Sequence, residues 1–283
     1  MPDSPRRLWI APTFTIAWMA LSTCVAFPVI GGVLLGVVGV RGIPGPDTDP
    51  TDLFGPGLLA GLTVIQFAAM LLPAVVLALL LPLGDRSLVA RAAVSFPIQI
   101  GPKGYLIAAI ILGFTAGALP SWAVDQLARA TGGEMGITRI IEALDQADPL
   151  ARFAMYAVVA AIAPVAEELI FRGFLWAAIE RSGPPWVAWV ATSLLFAAYH
   201  HDPLQVLAVL PLGLVLGWLR WRTRSLWASL LLHVTNNGLA LITAMAFPDL
   251  LTEFAPSVGL AAVAGITLAA AWRFERPIAP APR

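Results

Sequence analysis

Residues 153–179 read FAMYAVVAAIAPVAEELIFRGFLWAAI, an apolar stretch long enough to cross a lipid bilayer as a helix. Glu167, Glu168 and Arg172 interrupt this stretch in its second half. An ionised side chain that faces lipid at such a depth costs about 2.5–3.5 kcal/mol on insertion scales. We therefore expect the three side chains to face a protein interior or a water-filled cavity, which makes this segment the first candidate for a functional site.

The rest of the chain has the composition of an integral membrane protein. Of its 283 residues, 59% are hydrophobic and 12% are charged, whereas soluble domains carry about 25% charged residues. The formal net charge of zero offers no basic surface for nucleic acid. The single cysteine, Cys24, offers no disulfide framework. Lys103 is the one lysine beside sixteen arginines, a bias that indicates a GC-rich and hence bacterial genome.

Apolar windows separated by proline, glycine and charged residues predict about eight transmembrane helices. They cover residues 13–40, 56–83, 104–124, 151–179, 186–200, 203–220, 226–247 and 257–272. The fifth and eighth are too short to cross lipid alone, and the fifth ends at His200-His201-Asp202-Pro203, where the chain is expected to turn inside the protein. We therefore predict an all-α, polytopic membrane protein in which residues 1–283 form one domain and some helices are short or broken around an intramembrane cavity.

Basic residues between these spans predict the orientation of the chain. With the N-terminus cytoplasmic, twelve basic residues fall in cytoplasmic segments and four fall outside. This distribution follows the positive-inside rule and predicts a cell-membrane protein with both termini cytoplasmic. Arg220, Arg222 and Arg224 belong to the cytoplasmic set, and we interpret them as an anchor at that membrane surface.

Three predicted helices carry polar side chains at helical spacing. Glu168 and Arg172 are four residues apart and share a helix face, so they can pair. Glu167 is turned about 100° from Glu168 and need not join that pair. This spacing indicates one carboxylate that is held by arginine and a second that is left to act as a base.

Two further pairs with the same spacing lie on later helices. His200 follows Phe196 by four residues, and Asn237 follows His233 by four. At about 1.5 Å of rise per residue, four polar side chains fall within one membrane layer of about 10 Å, namely Glu168, His200, His233 and Asn237. Two carboxylates, two imidazoles and one carboxamide at one depth suit hydrolysis, because glutamate and histidine can activate water and histidine and asparagine can donate to an oxyanion. Neither Gly-x-Ser-x-Gly nor His-Glu-x-x-His is present as an alternative.

The order Glu-Glu-x-x-x-Arg, Phe-x-x-x-His and His-x-x-x-Asn on successive spans resembles the CAAX-protease and bacteriocin-processing (CPBP, or ABI) family of intramembrane proteases. Its eukaryotic members, the type II CAAX prenyl endopeptidases, cleave the last three residues from prenylated proteins. The resemblance covers residues 150–245, which it implies are the catalytic core. It also implies a peptide or protein substrate near the lipid bilayer, and it makes Glu168 and Arg172 a supporting pair that fixes the helix.

The same resemblance implies the roles of the remaining motif residues. Glu167 corresponds to the water-activating base, and His200 helps to hold that water. His233 and Asn237 correspond to the oxyanion hole. His201 lies outside the pattern, and its presence beside His200 leaves open which imidazole points inward.

Several alternatives stay open at this level. Glu167, His200 and His233 could instead supply three protein ligands to a catalytic zinc ion, although the resemblance to glutamate-type members favours a reaction without a metal cofactor. Buried glutamates and histidines also serve as proton relays in transporters. A transporter is expected to have broken helices in both halves, whereas the polar residues here cluster in one half. A noncatalytic immunity or peptide-binding protein is a third alternative.

Overall fold

A computed structural model describes six segments of the chain, residues 10–41, 50–82, 86–132, 147–200, 202–246 and 254–274. Within these segments the secondary structure is helical and contains no strand, which confirms the predicted all-α class. The helices of the described segments are numbered in chain order. They are α1 (Ile10–Arg41), α2 (Pro50–Leu80), α3 (Leu88–Ser95), α4 (Lys103–Thr115), α5 (Ala118–Thr131), α6 (Pro149–Ser182), α7 (Pro185–Ala198), α8 (Pro203–Thr223), α9 (Trp227–Ala246) and α10 (Phe254–Phe274).

The described helices confirm a polytopic membrane protein. Four stretches are long and apolar enough to cross a bilayer, namely Ala60–Leu80, Lys103–Thr131, Pro149–Ser182 and Pro203–Thr223. Shorter apolar helices are Ile10–Cys24, Pro185–Ala198 and Val258–Arg273. Each of the eight predicted spans coincides with a helix or a pair of helices, so the apolar windows located the elements correctly.

Three details differ from the sequence-based prediction. The third predicted span, 104–124, consists of α4 and α5, which are separated by a turn and extend to Thr131. The eighth lies within the longer, 21-residue α10, although its apolar part, Val258–Arg273, is as short as expected. The helix α3 was not predicted, because its eight residues are too few to give a clear helical period. The Ser87 hydroxyl caps this helix by accepting a hydrogen bond from the amide of Ala90 at 3.3 Å.

Helix α6 lies at the centre of the described structure. It packs against α1, α2, α7 and α9. A run of its large side chains is at most 1% exposed, and the run comprises Ile170, Phe171, Phe174, Leu175 and Trp176. Because protein surrounds this half of the helix, its charged residues do not face lipid, as the cost of burying charge in hydrocarbon predicts.

The backbone of α6 leaves the α-helical register twice. Residues Val158–Ile162 and Glu168–Leu175 form π-helical segments. At the end of the first, the amide of Ala163 donates to the carbonyl of Val158, five residues back. Pro164, which has no amide hydrogen to donate, follows immediately. Short π segments inside α-helices occur frequently at functional sites, and the second one here contains both Glu168 and Arg172.

The chain turns between α7 and α8, where the sequence predicted a break. Helix α7 ends at Ala198, and the amide of His200 donates to the carbonyl of Ala197 at 3.1 Å. Asp202 then caps α8, because its carboxylate accepts from the amide of Leu204 at 2.9 Å. Pro203 occupies the first turn of α8, where a missing amide hydrogen is tolerated. His201 lies outside the described residues.

Candidate active site

Glu168 and Arg172 form an ion pair inside the second π segment of α6. Nη1 of Arg172 donates to Oε1 of Glu168 at 3.0 Å, and the two side chains are 0% and 1% exposed. The pairing expected from their spacing is therefore present. Breaking such a pair would leave a buried charge without compensation, so this contact fixes both side chains.

Arg172 also binds the backbone of α8. Its Nη2 donates to the carbonyl of Gly213 at 3.0 Å, and the hydroxyl of Ser193 donates to the same oxygen at 2.9 Å. A Cβ atom at Gly213 would lie 3.1 Å from Cδ1 of Phe196 and 3.3 Å from the carbonyl oxygen of Ser193. Glycine at this position therefore allows the α8 backbone to approach α7 and the guanidinium closely.

His233 on α9 contacts both glutamates. Its Nδ1 lies 3.0 Å from Oε1 of Glu168, and its Nε2 lies 3.5 Å from Oε2 of Glu167. The first distance is that of a hydrogen bond, whereas the second is longer than ordinary hydrogen bonds and describes a contact between ionisable groups. The sequence predicted His233 as a partner of Asn237 and did not predict its contact with the glutamate pair.

The arrangement restricts the protonation of His233. An ionised Glu168 can only accept a hydrogen bond, so Nδ1 of His233 carries a proton. Nε2 of a neutral His233 can accept a hydrogen bond from a protonated Glu167, whereas a doubly protonated His233 can donate to an ionised Glu167. In either state Glu167, Glu168, Arg172 and His233 carry no net charge together, which lowers the cost of burying them.

The two carboxylates have different environments. The side chain of Glu168 is 1% exposed and is bonded to Arg172 and His233. The side chain of Glu167 is 9% exposed, and the ion-pair contact described for it is the longer one to His233. Of the two carboxylates, Glu167 is thus the more exposed, and its described contact with His233 is the longer one.

His200 lies at the end of α7, beside the cluster. Its Nδ1 lies 3.0 Å from the carbonyl oxygen of Phe196, one of the last carbonyls of the helix, which have no amide partner within it. Because a carbonyl oxygen only accepts, Nδ1 carries the proton, and Nε2 is the acceptor in the neutral ring. The structure thus gives His200 a fixed tautomer, with its acceptor nitrogen on the edge of the ring that points away from the α7 backbone.

The ring of Phe196 joins the three motifs. It is 0% exposed and lies edge-on to both imidazoles, with centroid distances of 5.2 Å to His200 and 5.4 Å to His233. The guanidinium carbon of Arg172 lies 4.3 Å from its centroid, a cation–π contact. Phe196 therefore packs against the site and lies between the two imidazoles.

Asn237 lies one turn beyond His233 on α9. Its Nδ2 donates to the carbonyl of Val159 at 3.1 Å, and its Oδ1 accepts from Nδ2 of Asn236 at 3.3 Å. Val159 belongs to the first π segment of α6. The carboxamide thus ties α9 to α6 and uses one of its two Nδ2 hydrogens in doing so.

A polar pair that the sequence analysis missed adjoins His200. Nε2 of Gln66 donates to the hydroxyl of Tyr199 at 2.5 Å. The ring of Tyr199 lies 6.2 Å from that of His200 and 6.0 Å from that of Phe171. Gln66 is the sole carboxamide in the predicted span 56–83, and a polar group inside an apolar span was the signal that could have identified it.

The residues proposed as zinc ligands are not arranged around a common point. In the part of the chain that the structure describes, no three His, Cys, Asp or Glu side chains are placed to hold a metal ion. Both ring nitrogens of His233 face glutamates, and Nδ1 of His200 is bonded to the α7 backbone. Zinc binding by Glu167, His200 and His233 would therefore require these side chains to rearrange.

Comparisons with known proteins match the part of the chain that carries these residues. Residues 149–239, from α6 into α9, match the family model described as "Type II CAAX prenyl endopeptidase Rce1-like". The chain is also similar to "Putative membrane peptidase YdiL" of Bacillus subtilis (strain 168). The two sequences are 25% identical over 224 residues, which cover 79% of this chain and 84% of that protein. No solved structure matches the chain.

Proposed function

We propose that the chain is an intramembrane endopeptidase of the CPBP, or CAAX-protease-like, family, in which Glu167 activates the attacking water. The observation that carries this proposal is the contact of His233 with both Glu167 and Glu168. This contact joins a candidate base to a candidate oxyanion donor inside a buried, charge-balanced cluster. The substrate is a peptide bond of a membrane-associated protein or peptide.

In the proposed reaction the carboxylate of Glu167 takes a proton from water while the water oxygen bonds to the scissile carbonyl carbon. His200 orients the same water by accepting its second hydrogen at Nε2, a role supported by the Nδ1 contact with the Phe196 carbonyl. When the C–N bond breaks, Glu167 returns its proton to the departing amine. The carboxylate is then ready for the next cycle, and the water has been consumed in hydrolysis.

Charge that develops on the carbonyl oxygen requires hydrogen-bond donors. A protonated His233 offers Nε2–H, and Asn237 offers its second Nδ2 hydrogen, which supports assigning the oxyanion hole to these two residues. Glu168 holds the imidazole through Nδ1, and Arg172 holds Glu168. Such a prearranged set of donors lowers the barrier because it needs no reorganisation as the oxyanion forms.

We place the enzyme in a bacterial cell membrane with both termini cytoplasmic. Support comes from the twelve basic residues assigned to cytoplasmic segments against four outside.

Proteolysis is tested in the cell membrane itself. Cells that produce the wild-type chain and cells that produce the Glu167→Gln variant at equal levels are compared by mass spectrometry of newly formed peptide termini in membrane proteins. Termini present with the wild type and absent with the variant are expected. Identical sets of termini from the two strains would contradict the proposal.

The metal-free form of the reaction makes a separate prediction. Hydrolysis of a substrate found in that comparison should proceed at the same rate after EDTA treatment, and the purified protein should contain less than stoichiometric zinc. If EDTA abolishes hydrolysis and zinc restores it, the metal-free reaction is contradicted, and Glu167, His200 and His233 are the candidate ligands of a zinc ion that would activate the water.

A further inference from the structure

A second arginine close to the site is buried. Arg220 on α8 is 3% exposed, although the sequence placed it with Arg222 and Arg224 in a charged anchor at the membrane surface. Its neighbours make other contacts, because Arg222 binds the hydroxyl of Tyr105 and Arg224 pairs with Glu180. Burial of a guanidinium costs free energy unless hydrogen bonds or charge contacts compensate for the lost hydration.

Arg220 contacts the backbone of the motif helix. Its Nε donates to the carbonyl oxygen of Arg172 at 3.0 Å, and its guanidinium carbon lies 5.2 Å from the ring centroid of Trp176. Nη1 of the same side chain is buried and has no hydrogen-bond partner among the described residues. Arg220 thus hydrogen-bonds the Arg172 carbonyl through Nε, while the hydrogen-bonding capacity of Nη1 is not used by a described residue.

The π-helical register removes the α-helical donor to the Arg172 carbonyl. In a continuous α-helix the amide of Trp176 would donate to this carbonyl. Here it donates to the carbonyls of Phe171 and Gly173. Buried carbonyls are generally hydrogen-bonded, and Nε of Arg220 donates to this one.

Helix α8 therefore holds Arg172 at two points. The carbonyl of Gly213 accepts from its guanidinium, and Nε of Arg220 donates to its carbonyl, each at 3.0 Å. The first contact fixes the side chain and the second fixes the backbone register. Both act on the residue that pairs with Glu168 and, through Glu168, on His233.

We propose that Arg220 is a positioning residue that maintains the π-helical register of Glu168–Leu175 and so keeps Glu168 and Arg172 in place beneath His233. The structural part of this proposal stands on the contacts of Arg220 alone. Its consequence for catalysis rests on the proposed function, because a displaced Glu168 would misdirect the His233 donor.

Two substitutions of nearly equal length separate the hydrogen bond from side-chain size. In Arg220→Gln, Nε2 occupies the same place along the side chain as Nε of arginine and can donate to the Arg172 carbonyl without a charge. In Arg220→Met the chain is similar in length but has no donor. Arg222→Met is the matched control, because it removes a guanidinium from the same helix that is bonded to Tyr105 and stacked on Trp272.

Amide hydrogen exchange of the segment 168–176 is the first measurement, and it requires no enzymatic activity. We expect faster exchange in this segment for Arg220→Met, and wild-type exchange for Arg220→Gln and Arg222→Met, because exchange reports local opening of helical hydrogen bonds. Wild-type exchange in Arg220→Met would overturn the proposal, as would equally fast exchange in a folded Arg220→Gln. If Arg220→Met does not fold, the proposal depends on Arg220→Gln. Wild-type exchange of the segment 168–176 in that variant supports it, and faster exchange overturns it.

The kinetic measurement tests the catalytic consequence. Arg220→Met should lower kcat by roughly 10- to 100-fold, the cost of a misplaced catalytic group, with KM unchanged and with activity retained in Arg220→Gln. An equal loss in Arg222→Met would overturn the assignment. If Glu167→Gln cleaves as fast as wild type, the proposed function fails, whereas the exchange result still decides whether Arg220 holds the π segment.

Discussion

Replacing Arg172 by methionine is expected to lower the free energy of unfolding by about 3–5 kcal/mol, the range measured when one partner of a buried ion pair is removed. The side chains of Arg172 and Glu168 are 0% and 1% exposed. Methionine would leave the Glu168 carboxylate buried with one fewer donor and would also remove one of the two donors to the Gly213 carbonyl. Unfolding of the purified protein in one detergent, followed by helical circular dichroism, gives the measurement.

A second arginine of this chain provides the control. Arg129 pairs with Asp125 at 2.8 Å with the same four-residue spacing, but its side chain is 64% exposed. Arg129→Met should therefore change the free energy of unfolding by no more than about 1 kcal/mol. The double variant Glu168→Gln, Arg172→Met should recover part of the stability lost in Arg172→Met, because the uncompensated charge is gone. Similar losses for Arg172→Met and Arg129→Met would contradict the buried pair.

Replacing Glu167 by glutamine is expected to lower kcat by about 100- to 10,000-fold, the usual contribution of a general base. Glutamine has the shape of glutamate, so the packing around α6 and the contact with His233 can be retained. It cannot take a proton from water at neutral pH. Initial rates of hydrolysis at saturating substrate, with the unfolding transition measured on the same samples, separate this loss from misfolding.

Glu180→Gln is the matched control for that experiment. Glu180 lies on the same helix and bonds to Nε1 of Trp176 and to Arg224, away from the histidines. We expect its rate to equal that of the wild type. Loss of activity in both glutamine variants would indicate that α6 tolerates no carboxamide, and a wild-type rate for Glu167→Gln would show that another group is the base.

The sequence was sufficient to predict the parts of the site that depend on helical spacing. Residues four apart share a face, so the Glu168–Arg172 pair followed from their positions. Pro203 after the short apolar window predicted where α7 ends. The apolar windows also located the helices, because a span must satisfy its own backbone inside the membrane.

The sequence could not predict features that depend on side-chain direction or backbone register. The π segment Glu168–Leu175 has no periodic signature in eight residues. Counting charges by position assigned Arg220 to a surface, because the count does not distinguish a side chain that turns inward. The contact of His233 with both glutamates depends on how α9 packs against α6. The spacing of residues within one helix does not determine that packing.

The most direct test of the account is a double-mutant cycle between Glu167 and His233, measured as the single-turnover rate of peptide hydrolysis. His233→Asn is suitable because a carboxamide can still donate to Glu168 from the place of Nδ1, while the Nε2 contact with Glu167 is lost. If the base and the oxyanion donor act as one unit, the double variant is no slower than the slower single variant, since groups that act together are strongly non-additive. Single variants that cleave at the wild-type rate, or a double variant whose loss is the product of the two single losses, would contradict the account.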